Sequence, residues 1–199
     1  MNMVVSHQTR RVAAFKPKPA PVVSFAGEAD VLSELLAATL SGCHPGSAAV
    51  LGNSGGRLIL NLLRRDDAGQ RYTSRFMLEL SRADLTEQVV AIEPVELVHA
   101  ALVLDQAAEV SRCLDNLLSL VAVGGALSVV LQASGEFQGK VSRGCAPTIQ
   151  KRKGQMDLIS PVWLLEALQQ RGFHLTHQTE RSAPSGRRFW LAIFQSVQR

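Results

Sequence analysis

Long apolar runs are missing from this 199-residue chain. No stretch approaches the roughly 20 residues a helix needs to cross a bilayer, so no helical membrane span is expected. The opening MNMVVSHQTRR also lacks the apolar segment of a secretory signal, and the expected location is the cytoplasm. Cysteine is scarce and odd in number. Cys43, Cys113 and Cys145 stand far apart, without the close pairing of a zinc site, and a cytoplasmic chain keeps such thiols reduced. The histidines (His7, His44, His99, His174 and His177) are dispersed. His174 and His177 are three apart in a predicted strand and are expected on opposite faces, so no metal site is predicted. Aromatic residues make up 5% of the chain and are not interleaved with basic ones, which removes the main signature of base stacking.

What is present is an ordinary globular balance, 46% apolar and 19% charged, in a length suited to one well-buried domain. The net charge of +4 gathers in two places, Arg10, Arg11, Lys16 and Lys18 near the start and Lys140, Arg143, Lys151, Arg152 and Lys153 later. Either group can meet an anionic partner, although a solvated tail and a solvated loop explain them more simply. Residues 1–25 contain KPKPAPV and are predicted to be a flexible basic lead-in, with a single domain over 26–199.

Periodicity supplies the elements. A helix is predicted over Asp30 to Leu40, capped by Asp30 and ended by Gly42. Ala48 to Leu51 reads as a strand, followed by the turn Gly52-Asn53-Ser54-Gly55-Gly56 and a helix presenting Leu58, Ile59, Leu62 and Leu63. Strands are predicted at Tyr72 to Leu80, at Val89 to Ile92 and, almost wholly apolar, at Leu97 to Leu104. Val110, Leu114, Leu117, Leu118 and Val121 mark a helix that Gly124-Gly125 stops, and Ala126 to Leu131 returns as a buried strand. After a basic loop, about 134–159, Ser160 and Pro161 open a helix with Val162, Leu165 and Leu168 inward, and Gly172 closes it. Phe173 to Glu180 and Arg188 to Phe194, joined through Pro184-Ser185-Gly186, form an antiparallel pair. Strands alternating with helices give the α/β class, a mostly parallel sheet flanked by helices with an antiparallel final strand.

Glu96-Leu97-Val98, Val103-Leu104, Leu114-Asp115-Asn116-Leu117, Val123-Gly124-Gly125-Ala126-Leu127, Gly172-Phe173 and the closing FWLAIF follow one another in a familiar order. From Glu96 to Phe194 the chain resembles class I S-adenosylmethionine-dependent methyltransferases of the type 11 group. Val123 stands where that family usually has proline. The resemblance implies a Rossmann-like fold, shortened here between the second and fourth strands. It also implies S-adenosylmethionine as cofactor, held by a glycine loop and by an acid that binds the ribose. Gly52, Asn53, Ser54, Gly55 and Gly56 stand at the loop, shortened and without its acidic residue, and Glu79 at the ribose acid.

A tight strand-to-helix turn explains the glycines equally well, and Glu79 also fits the open face of a strand. His99 can be a general base or a hydrogen-bonded core histidine. Asp105 and Gln106 fall at the carboxyl end of a strand, the rim where α/β sheets bind ligands. With Lys140, Arg143, Lys151, Arg152 and Lys153 they make up the substrate or partner rim. No residue is assigned as catalytic, because methyl transfer needs alignment more than a fixed side-chain set.

Three functions follow. The first is a degenerate methyltransferase-fold protein, a pseudoenzyme that binds a protein partner or a second copy. The second is an active transferase methylating a small molecule, and the weakest is a nucleic-acid module using the basic loop. The first is preferred, because the altered loop and the shortened first half are two separate departures from the family pattern.

Overall fold

The computed structural model describes residues 26–54, 57–80, 92–133 and 159–197. Among the described residues seven strands form one sheet: β1 (Ser47–Ser54), β2 (Arg57–Arg65), β3 (Tyr72–Leu80), β4 (Val95–Ala101), β5 (Val121–Ala133), β6 (Phe173–Ser182) and β7 (Arg188–Ser196). Their order across the sheet is β3-β2-β1-β4-β5-β7-β6. The helices among the described residues are α1 (Ala26–Cys43), α2 (Val110–Ser119) and α3 (Pro161–Gln170). None of the described helices is long and apolar enough to cross a membrane. The fold is α/β with a mixed sheet.

The predicted second helix does not form. The segment presenting Leu58, Ile59, Leu62 and Leu63 is not a helix but β2, which folds back on β1 with Leu51 opposite Leu60 and Ser54 opposite Arg57. Its leucines satisfy both periods, and tertiary pairing selects the alternation: Leu58 and Leu60 are buried against the core shared with Leu51 and Leu80. As a result the sheet is not mostly parallel. Among the described residues only β1 with β4 and β4 with β5 pair in parallel, whereas β1–β2, β2–β3, β5–β7 and β6–β7 pair antiparallel. The reversed final strand β7 is as predicted.

Two layers cover the central strands. On one side Cys113, Leu114 and Leu117 of α2 and Leu164, Ala167 and Leu168 of α3 pack on Val98, Ala100, Leu127, Val129 and Phe194. On the other, α1 lays Val31 and Leu35 on Val130, Phe189 and Leu191. Further along α1, Leu40 and Cys43 pack beside Ala48, Leu97, Ala126 and Ile193. The helix runs past Gly42, and Asp30 lies inside it rather than capping it. Glu28, in its first turn, accepts hydrogen bonds from Ser185 Oγ (2.8 Å) and Arg187 (3.1 Å), which ties the helix start to the β6–β7 turn.

Gly124-Gly125 does not end α2 but lies inside β5. Val95 pairs with Val121 and Leu97 with Ala126, so β5 bulges outward between them, with Val123 89% exposed. Gly124 adopts φ 73°. At Gly125 a Cβ would come within 2.8 Å of the Glu96 carbonyl oxygen, so the chain passes too close there for any side chain. A second bulge overturns the expectation for the β6 histidines. His174 pairs with Gln195 and His177 with Ile193, two residues apart on β7, so both histidines lie on one face with Thr176 as the extra residue. No group of three or more metal-ligating side chains forms among the described residues.

Candidate functional site

The sheet reverses its direction of growth between β1 and β4, which pair in parallel. In open α/β sheets the crevice outside the carboxyl ends of such strands is where ligands bind. Here those ends are Gly52–Ser54 of β1 and Ala101 of β4. Leu102 follows in the left-handed region at φ 56°, its N–H still bonded to Val130, and the chain turns into a short 3₁₀ segment, Leu104–Gln106. That turn delivers two side chains to the edge.

Gln106 spans the crevice. Its Oε1 accepts from Asn53 Nδ2 at 2.9 Å, while its Nε2 donates to the Leu102 carbonyl at 2.9 Å. Asp105 leans the other way, over β5, where Oδ2 accepts the Gln132 N–H at 3.0 Å. The carboxyl is only 5% exposed, and Oδ1 has no hydrogen-bond partner among the described residues. Burial raises its pKa to about 7, partly opposed by the Gln132 hydrogen bond. A half-satisfied buried carboxyl calls for an explanation in any structure, either a ligand or a proton.

Glu79 stands apart from this edge. It pairs with Ile59, which pairs with Gly52, so two strand spacings, about 10 Å, separate it from the β1 terminus. Its carboxylate holds Arg57 at 3.0 Å, an exposed ion pair worth little on its own. His99 lies inside β4 and alternates with Val98 and Ala100, so its ring faces the α1 side of the sheet. It is 1% exposed and shares a 2.9 Å hydrogen bond between Nδ1 and Ser128 Oγ. Burial lowers its pKa to about 4 and keeps the ring neutral. Gly55, Gly56, Lys140, Arg143, Lys151, Arg152 and Lys153 lie outside the described residues, as does the predicted strand up to residue 91.

The structure thus brings together Asn53, Asp105 and Gln106, and leaves His99 and Glu79 away from them. Sequence reasoning missed three partners: Arg57, Gln132 and Ser128. Ser128 carried a signal, as the one hydroxyl in the apolar run Ala126 to Leu131. The Gln132 contact is made by its backbone and left no trace in the residue types. A separate groove of about 780 Å³ opens at the opposite edge, between the end of α1 (Gly42, Cys43), Glu96, the β5 bulge and His177.

No family model matches the chain. No curated protein matches it either. Among solved structures it is similar to the N-methyltransferase NodS from Bradyrhizobium japonicum WM9 in complex with S-adenosyl-l-homocysteine. The identity is 17% and the TM-score 0.41, over 58% of this chain and 52% of that one. The [4+2]-cyclase SpnF is similar at 13% identity and a TM-score of 0.44, over 58% and 54%. An O-methyltransferase family protein from Burkholderia thailandensis reaches 16% and 0.36, over 60% and 34%. The chain therefore spans about half the length of the first two and a third of the last. Likenesses this distant say nothing of cofactor or substrate.

Proposed function

We propose that this is a methyltransferase-like protein that works by binding, as a partner subunit in the cytoplasm, and does not itself transfer methyl groups. The supporting observation is the β1–β2 hairpin. A helix after the glycine turn would aim its free N–H groups and positive end at the crevice, which is how such turns hold anionic and sugar ligands. In β2 the backbone is instead engaged with β1 on one side and β3 on the other. Glu79, the residue that the resemblance offers for the ribose, is bound to Arg57, and Gln106 and Asn53 bridge the crevice themselves. This set of described residues does not fit S-adenosylmethionine, and no transfer step is derived from it. The basic residues Lys140 to Lys153 are the ones this reading assigns to partner contact.

Calorimetric titration of the folded protein with S-adenosylmethionine and S-adenosylhomocysteine tests the proposal. No heat of binding is expected. Micromolar affinity, about −8 kcal/mol, would overturn it and make Gly52, Asn53 and Glu79 the next residues to change. One observation favours the active small-molecule methyltransferase as a second reading: Asp105 Oδ1, unpartnered among the described residues beside the switch point, is an acceptor that a bound ligand could satisfy.

A further inference from the structure

The two outer strands of the sheet differ in character. On β6 the residues turned to the α1 side are His174, Thr176, His177, Thr179 and Arg181, a polar face that suits water. On β3 two large apolar side chains stand open, Phe76 at 47% and Met77 at 62% exposure. They sit in the short sequence Arg75-Phe76-Met77-Leu78-Glu79, whose ends carry opposite charges.

We infer that β3 is a self-pairing edge, along which a second copy of this chain adds antiparallel about a two-fold axis perpendicular to the sheet and midway between the two facing Met77 residues. Symmetric antiparallel pairing requires one residue to face its own copy, because opposed residues must point to the same side of the sheet. Centred on Met77, the register sets Arg75 of each copy opposite Glu79 of the other, twice. It also sets Phe76 opposite Leu78, twice, so that the half-exposed ring gains an apolar neighbour. Opposite charges and apolar pairs at directly facing positions are the units that stabilise a sheet. Arg75, Met77 and Glu79 all lie on one face: Met77 and Glu79 pair with Asn61 and Ile59, and Arg75 is the extra residue of a bulge beside Ser74. Shifting the centre by one residue, to Phe76 or Leu78, loses both charge pairs. Glu79 would then sit between Arg57 of its own sheet and the Arg75 of the facing copy. The two seven-stranded sheets would run on as one. This inference stands whether or not the protein binds a nucleoside cofactor.

Sedimentation equilibrium of the full chain, up to about millimolar concentration, reads the association directly. A species of twice the chain mass is expected. R75E and E79R should each weaken it by at least about tenfold, as should M77K, which sets two ammonium groups face to face. Mixing R75E with E79R should restore association, since every carboxylate then meets a guanidinium across the two-fold axis. All three substitutions fall on exposed side chains, and circular dichroism will show whether the fold is kept. A chain that stays monomeric throughout overturns the inference. So does a dimer that none of the three substitutions weakens, or a mixture no better associated than either variant alone.

Discussion

Replacing Asp105 by asparagine should remove a pH-dependent penalty from the fold. The carboxyl is buried, one oxygen accepts the Gln132 N–H and the other accepts nothing from the described residues, and its pKa moves from the usual 3.8 up to about 7. The folded state therefore holds a proton that the unfolded chain releases between these two values. Stability associated with this group is fully present below about pH 4, falls as pH rises, and is gone above about pH 7. The difference is about 4 kcal/mol, at 1.36 kcal/mol per tenfold change in proton affinity. Asparagine has the shape of the protonated acid and no charge to bury. Urea denaturation followed by circular dichroism should find D105N within about 1 kcal/mol of the parent at pH 4 and about 4 kcal/mol more stable at pH 8. His99 titrates in the same region with opposite sign, but it is present in both proteins and cancels in the difference. A parent-to-variant difference that is equal at the two pH values would refute the reasoning, and would mean that the carboxylate is compensated as it stands.

The other predictions concern the same sheet. His99 is held neutral with a pKa of about 4, so the unfolded chain takes up a proton first as pH falls from about 6.5. The His99 contribution should therefore fall by about 3 kcal/mol by pH 4, set against the opposite gain from Asp105, and H99N should gain that much on the parent between pH 6.5 and pH 4 in denaturation curves. G125A should cost about 1–3 kcal/mol, because the added methyl would meet the backbone carbonyls of Glu96 and Ala122 at 2.8 and 2.9 Å; thermal unfolding will report it. L127A removes a fully buried side chain from the central strand β5 and should cost about 2–5 kcal/mol by the same assay, with little local collapse to relieve it.

Much of the scaffold could be read along the chain. The buried runs of β1, β4 and β5, the β6–β7 hairpin and the amphipathic α2 all lie within a few residues of their predicted places. They were legible because apolar period and turn residues agree locally, as at Gly186, whose φ of 83° closes the β6–β7 turn. Local signals failed where they were ambiguous or where a partner strand decided. Gly124-Gly125 reads as a helix stop but serves a bulge, because β5 must swing out to meet β4 in register. Thr176 is an ordinary strand residue until β7 is laid beside it, and only then do His174 and His177 share a face. At the candidate site, sequence reasoning reached Asp105 and Gln106 by their place after a strand. It could not foresee which oxygen of Asp105 stays unpaired, nor that Glu79 meets Arg57.

By itself the sequence determined the class of the fold, the positions of the buried strands and the carboxyl rim after β4. These follow from hydrophobic period and turn chemistry, which act over a few residues. The tertiary structure alone decided the direction of β2, since Leu58 to Leu63 fit a helix and a strand equally well. Burial of Leu58 and Leu60 between β1 and β3 broke that tie. It also laid the residues from Arg57 onward back along β1, where their backbone groups pair with β1 and β3.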